Sequence, residues 1–216
     1  MKHQVLVIHG GDTFKTYEEY LEFLKAWQIN PEDIRKQKKD WKDTLNEELG
    51  GDFEVILPKM PNKLNAKYLE WKIWLEKFIP YLESEIILIG HSLGGIFLAK
   101  YLSESKFPKK ILATFLVSAP YDDKDYADSL ADFQLPENLN LLSEQGGKIF
   151  LFHSQDDPYV PFSDLQKFQK GLNGATSKVF TDRGHFNQEK FPELVETIKS
   201  IAVKSSNTAG RQLRLK

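Results

Sequence analysis

Residues 86–95 read Ile-Ile-Leu-Ile-Gly-His-Ser-Leu-Gly-Gly, and they constrain this chain more than any other stretch. An aliphatic run of this kind is a strand buried on both faces. It leads straight into a turn tight enough to need glycine at positions 90 and 94, and an apolar-periodic segment from Ile96 to Leu102 then predicts a helix. Strand, sharp turn and helix leave the Ser92 hydroxyl at the tip. The Leu93 N–H and the positive end of the helix dipole lie beside it. This is the setting of a serine nucleophile, which requires a base, an acid and amide donors from the rest of the chain.

The same signal recurs along the chain. Val5-Leu6-Val7-Ile8 is a short apolar strand broken by His9-Gly10-Gly11-Asp12, and Phe53 to Leu57 is a second strand stopped by Pro58. Ile111–Val117, Ile149–Phe152 and Lys178–Phe180 follow the central strand. Helical spacing predicts a helix over Tyr17–Trp27, and a new helix starts at Asn30-Pro31-Glu32-Asp33 and runs through Ile34, Trp41, Leu45 and Leu49 to Gly50-Gly51. Further helices are expected over Ala66–Leu82, Phe162–Leu172 and Pro192–Ala202. The stripe of Tyr68, Trp71, Leu75, Phe78 and Leu82 reads as core. Tyr121–Gly147 is acidic and less periodic, and reads either as a small cap over the site or as a plain surface helix with its loops.

Six strands alternating with helices predict an α/β fold with a mostly parallel sheet covered on both faces. One domain is expected over residues 1–203, followed by a basic, disordered tail over 204–216. In such a sheet the ligand site lies at the carboxyl ends of the strands. His9-Gly10-Gly11, Ser92, Asp157 and His185 all fall at those ends.

A serine hydroxyl needs an adjacent base. Of the five histidines, His185 is preferred, because it sits behind Gly184 in the loop after the last strand. His153, at another strand end, is its competitor. His9 reads as a brace for the first loop and His91 as locked into the turn, pointing away from the nucleophile. The orienting acid lies between serine and histidine in this architecture. Asp157 is favoured over Asp156, because Asp157-Pro158-Tyr159-Val160-Pro161 fixes a turn behind it, leaving Asp156 to accept from loop amides. The oxyanion donors are expected to be the N–H groups of Leu93 and Gly11, ahead of Gly10 and Asp12.

Composition removes rival chemistries. Without a cysteine there is no thiolate nucleophile, disulfide or cysteine-based zinc site. No histidine–carboxylate spacing suits a metal, no phosphate-loop pattern is present, and no cofactor is indicated. A net charge of −2 offers no case for nucleic acid or an anionic membrane surface. No apolar run approaches the roughly 20 residues of a membrane span. Met1-Lys2-His3 leads into the first strand without signal-peptide architecture, and the expected compartment is the cytoplasm.

With those residues in place the chain resembles the α/β-hydrolase superfamily, and within it the small serine hydrolases similar to retinoblastoma-binding protein 9. The resemblance is carried by Val5–Gly11, Gly90–Gly95, Ser154–Pro161 and Gly184-His185-Phe186, and it spans roughly residues 4–202. It implies a compact α/β-hydrolase fold of six parallel strands. It also implies hydrolysis of a small ester, thioester or amide through an acyl-enzyme, with Ser92, Asp157 and His185 as the triad. The expected partner is a small-molecule substrate, and the expected state a monomer or small homo-oligomer. One departure is the helical stretch Tyr17–Leu49 between the first two strands, which bears on what the site accepts. The alternative from another class is a protein-binding module on an inactive hydrolase scaffold.

Overall fold

The computed structural model describes residues 2–31, 39–124 and 129–213. Strands β1 (His3–Ile8), β2 (Phe53–Ile56), β3 (Glu85–His91), β4 (Lys110–Val117), β5 (Lys148–Ser154) and β6 (Thr176–Phe180) form one sheet in the order β2-β1-β3-β4-β5-β6. Every neighbouring pair is parallel. The helices among the described residues are α1 (Tyr17–Ala26), α2 (Trp41–Leu49), α3 (Tyr68–Phe78), α4 (Leu93–Glu104), α5 (Asn140–Gln145), α6 (Phe162–Gly171) and α7 (Pro192–Leu213). None of them is long and apolar enough to cross a membrane.

The alternation of strand side chains produces two cores. Leu6 and Ile8 of β1 and Ile86 and Leu88 of β3 face α3, α4 and α6, where Trp71, Phe97 and Phe168 are buried. Val5, Val7, Ile87 and Ile89 face the other way, against Trp41 and Leu45 of α2 and Leu194 and Ile198 of α7. The sheet is a buried middle layer, which is why its strands read as continuous apolar runs.

The chain leaves β1 for β2 on one side and returns to β3 on the other. The strand order therefore reverses between β1 and β3, and a crevice opens at their carboxyl ends. His9-Gly10-Gly11 and Ser92 border that crevice.

The helix expected from Asn30 to Leu49 is not one helix. Residues 32–38 lie outside the described ones, and α2 starts afresh at Trp41. Asp40 is extended (φ −115°, ψ 179°), and its carboxylate accepts from the Lys42 N–H at 2.8 Å while its own N–H donates to Asp43. A capping box of this kind begins a helix and cannot sit inside one. The helix expected over Ala66–Leu82 ends at Phe78 and tightens into a 3₁₀ turn over Ile79–Tyr81. Pro80 causes the change, since it has no N–H and its ring collides with the preceding turn.

The Tyr121–Gly147 segment contributes a 3₁₀ turn (Ala131–Phe133) and α5. Phe133, Leu139 and Leu142 anchor it in the core, and residues 125–128 lie outside the described ones. The expected tail from Lys204 begins inside α7, which continues to Leu213. The apolar period stops at Ala202, but no proline follows to break the backbone, so the end of the stripe is not the end of the helix.

Candidate active site

Ser92 is the residue between β3 and α4, at φ 56° and ψ −127°, a conformation that non-glycine residues rarely hold. Its N–H is tied to the Val117 carbonyl at 2.9 Å, and glycines surround it because nothing larger fits. A Cβ on Gly94 would stand 2.3 Å from the Ile8 carbonyl oxygen, and one on Gly90 2.3 Å from that of Gly94. The hydroxyl is thereby held at the carboxyl edge of the sheet.

Leu93 is the first residue of α4, so its N–H has no intrahelical acceptor. Gly11 leaves the first strand with its N–H likewise unengaged among the described residues, and the Lys63 carbonyl lies where a Cβ would be, at 2.6 Å. Asp12 N–H is already taken by that carbonyl at 2.9 Å, which removes it as an oxyanion donor. Gly10 abuts Ser92, whose Cβ lies 3.0 Å from the position of a Cβ on Gly10.

His185 follows β6 and Gly184, which takes φ 50°. Its Nδ1 lies 2.9 Å from Asp157 Oδ2 and 3.1 Å from Oδ1. The carboxylate is otherwise fully occupied: Ser118 Oγ donates to Oδ2 at 2.6 Å, and the Tyr159 and Val160 N–H groups donate to Oδ1 at 2.9 and 3.0 Å. Burial alone would push the Asp157 carboxyl up. The bonds from His185, Ser118 and Val160 outweigh it and hold the carboxyl below the usual carboxylate range. Asp156 accepts from Ser154 and, at 2.9 Å, from the Gly184 N–H, which ties down the loop that carries His185. The two neighbouring acids thus accept from different partners. No hydrogen bond joins Ser92 Oγ to His185 in this conformation. Such bonds tighten when substrate enters.

The other histidines are engaged elsewhere. His153 donates from Nε2 to the Val160 carbonyl at 3.0 Å, and His9 accepts from the Met60 N–H at 2.9 Å. Burial lowers both imidazoles below their ordinary value. His91 does more than pack the turn. Its Nε2 lies 2.8 Å from the His185 carbonyl oxygen and its Nδ1 3.4 Å from Lys42 Nζ. Burial, then the Lys42 charge, push this imidazole well below its ordinary value. Lys42 itself is lowered by burial against the pull of Asp40 at 2.7 Å.

Helix α2 holds the base loop at further points. Trp41 donates from its backbone to the Gln188 carbonyl at 2.8 Å and from Nε1 to that of Phe186 at 2.9 Å. Thr44 donates to the Glu189 carbonyl at 2.6 Å.

Ser118, Trp41 and Lys42 were not singled out as site residues from the sequence. Ser118 carried one usable signal, since it ends β4 just as the other chemical groups end their strands. Lys42 carried none. No cluster of metal-binding side chains occurs among the described residues.

Ser92, His185, Leu93 and Gly11 line one cavity of about 460 Å³, to which Lys42, His91 and Asn187 add polar lining and the adjacent rings of Phe14, Phe23 and Trp27 an aromatic wall. Pro120, Ser129 and Leu130 border it from the Tyr121–Gly147 side.

Residues 31–200 match the family model described as serine hydrolase. The rat serine hydrolase RBBP9 is 30% identical over 155 residues, covering 69% of this chain and 78% of that relative. The solved ydeN gene product of Bacillus subtilis is similar with a TM-score of 0.70 at 19% identity, over 94% of this chain and 100% of that one. A carboxylesterase structure from Nitrososphaera gargenis aligns with a TM-score of 0.59 at 15% identity, over 96% and 92% of the two chains. At those identities the structural likeness speaks for the fold alone.

Proposed function

The chain belongs to the serine hydrolase family on an α/β-hydrolase fold, and from that premise we propose that it cleaves a small carboxylic ester, thioester or amide by way of an acyl-enzyme on Ser92. The observation that carries the reading is the His185–Asp157 pair at 2.9 Å, whose His185 borders the same cavity as a strained serine at the sheet's switch point.

Asp157 accepts from Nδ1–H of His185, which leaves the Nε2 lone pair for the Ser92 proton. Ser92 Oγ attacks the acyl carbon as that proton moves to Nε2. The resulting oxyanion takes hydrogen bonds from the N–H groups of Leu93 and Gly11, each worth about 2.7–4 kcal/mol where such donors have been removed. Collapse breaks the bond to the leaving group, which departs with the proton from His185. Water, deprotonated by His185, then attacks the acyl-serine, and the acid leaves with Ser92 restored. The nucleophile, base, orienting acid and oxyanion donors of this scheme all come from the chain itself.

The test is labelling by a fluorophosphonate probe together with ester turnover, for the wild type and Ser92→Ala. Loss of both is expected, with kcat down on the order of 10⁶-fold as in a comparable triad. Undiminished labelling at another serine overturns the assignment. A wild type that neither labels nor turns over at any pH points instead to a retired scaffold used for binding.

A further inference from the structure

Helix α1 is an addition to the sheet's crossover pattern, since α2 already packs on the face that the β1–β2 connection has to cover. It has an N-terminal capping box, with Glu19 N–H on Thr16 Oγ1 at 3.1 Å, yet none of its residues is buried. A ten-residue helix with nothing buried is marginal in water. Its apolar side is nonetheless organised. Phe14 and Phe23 stand 5.0 Å apart centroid to centroid, and Phe23 meets Trp27 edge to face at 4.9 Å. Lys67 tethers the start of this ladder through the Phe14 carbonyl at 2.8 Å.

The rings are not packed into either core, and Trp27 remains 52% exposed. They border the cavity that holds Ser92, with Leu64 and Leu130 also lining it. A contiguous aromatic surface left open beside a reacting group marks a binding surface. The cavity's 460 Å³ suits a small molecule, and Asp40, Lys42 and Asn187 give it a polar share of its lining.

We propose that the Phe14–Phe23–Trp27 wall is a binding subsite for an apolar chain of the substrate, so that the enzyme prefers esters with one extended hydrocarbon limb. The inference rests on the hydrolase reading above. It is carried by the continuity of the wall with the cavity around Ser92. The limb is the acyl or the alkoxy part of the ester, and both present the same hydrocarbon to the wall.

The experiment uses the full chain and two substrate series: p-nitrophenyl esters from acetate to decanoate, and alkyl acetates from methyl to octyl. In one series kcat/KM should climb by up to about fourfold per methylene until the wall is filled. The series that climbs identifies the limb. Phe23→Ala and Trp27→Ala should flatten the climb, losing roughly tenfold or more on the eight-carbon member and under about twofold on the shortest. Phe23→Leu and Trp27→Phe keep most of the apolar surface and should keep the slope, so the test survives an alanine variant that fails to fold.

A flat wild-type profile in both series overturns the proposal, as does an equal loss at every length. Octanoate titrated into Ser92→Ala provides a readout without turnover. Its quenching of tryptophan fluorescence should largely vanish in Ser92→Ala/Trp27→Phe, and absence of quenching also counts against the wall. Quenching without turnover of any ester would leave the wall standing and the hydrolase reading fallen. Turnover with a flat profile would do the reverse.

Discussion

Lys42 Nζ stands 3.4 Å from Nδ1 of His91, on a ring whose Nε2 lies 2.8 Å from the carbonyl oxygen of His185. An ammonium can only donate and a carbonyl can only accept, so the His91 ring is neutral with its proton on Nε2. A cation from helix α2 therefore selects the tautomer that clamps the backbone of the candidate base.

Removing that cation tests the clamp. Lys42→Met keeps the stem and deletes the donor, freeing His91 to take the other tautomer. The expected result is a kcat lower by about tenfold, close to the lower end of the roughly 1.5–3 kcal/mol of a charged hydrogen bond, with KM nearly unchanged. Lys42→Arg should restore most of it. The ¹⁵N shifts of His91 report the tautomer directly. Unaltered shifts and an unaltered kcat would show that Lys42 only fills space.

The adjacent carboxylates give a sharp contrast. Asp157→Asn should cost kcat about 10⁴-fold, because an amide no longer enforces the Nδ1–H form of His185. Asp156→Asn weakens only the tether to Gly184 and Ser154, and its loss should stay within about tenfold. Steady-state kinetics on the two variants decides the assignment, and the reverse ranking would transfer the role to Asp156.

Acid should destabilise this protein through its buried histidines. His9, His91 and His153 are all lowered by burial beneath the ordinary 6.5. Below that pH the unfolded chain binds protons that the folded chain refuses, so stability is complete above 6.5 and drains as pH falls toward the folded values. Each histidine contributes up to about 1.4 kcal/mol per pH unit inside its window. Urea denaturation at pH 7.5, 6.5 and 5.5 should show the decline, with a shallower slope in His153→Gln. Asp157, depressed in the fold, contributes its loss only as pH falls below 3.8.

The turn around Ser92 should tolerate no added methyl group. Gly94→Ala drives a Cβ into the Ile8 and His9 carbonyl oxygens at 2.3 and 2.6 Å, and neither strand end can retreat. A loss of about 3 kcal/mol or more is expected, together with activity. Gly51→Ala, with nothing within 4 Å of its Cβ, is the control and should change stability by less than about 0.5 kcal/mol. Thermal melts of the pair suffice.

Much of this architecture was legible because it is locally encoded. Runs such as Val5–Ile8 and Ile86–Ile89 declare buried parallel strands by lacking any polar alternation, and the glycines at 90 and 94 declare a turn where strand and helix nearly touch. The Pro158 turn favoured Asp157 over Asp156 as the residue facing His185, and Asp157 Oδ2 lies 2.9 Å from its Nδ1. The break before α2 was harder to see, because Asp40 caps through its side chain in a segment whose apolar spacing continues on both sides.

By itself, then, the sequence determined which segments become strands and which chemical groups lie close to their carboxyl ends. These are matters of short-range sterics and burial period. Tertiary structure alone decided that Lys42 meets His91 across 49 positions and that Trp41 holds the Phe186 carbonyl across 145. It also decided that Ser118 completes the shell of Asp157, and that the rings of α1 open onto the cavity instead of a core. A hydrogen bond between distant segments leaves no local pattern, because its partners are chosen by how the helical layers stack on the sheet.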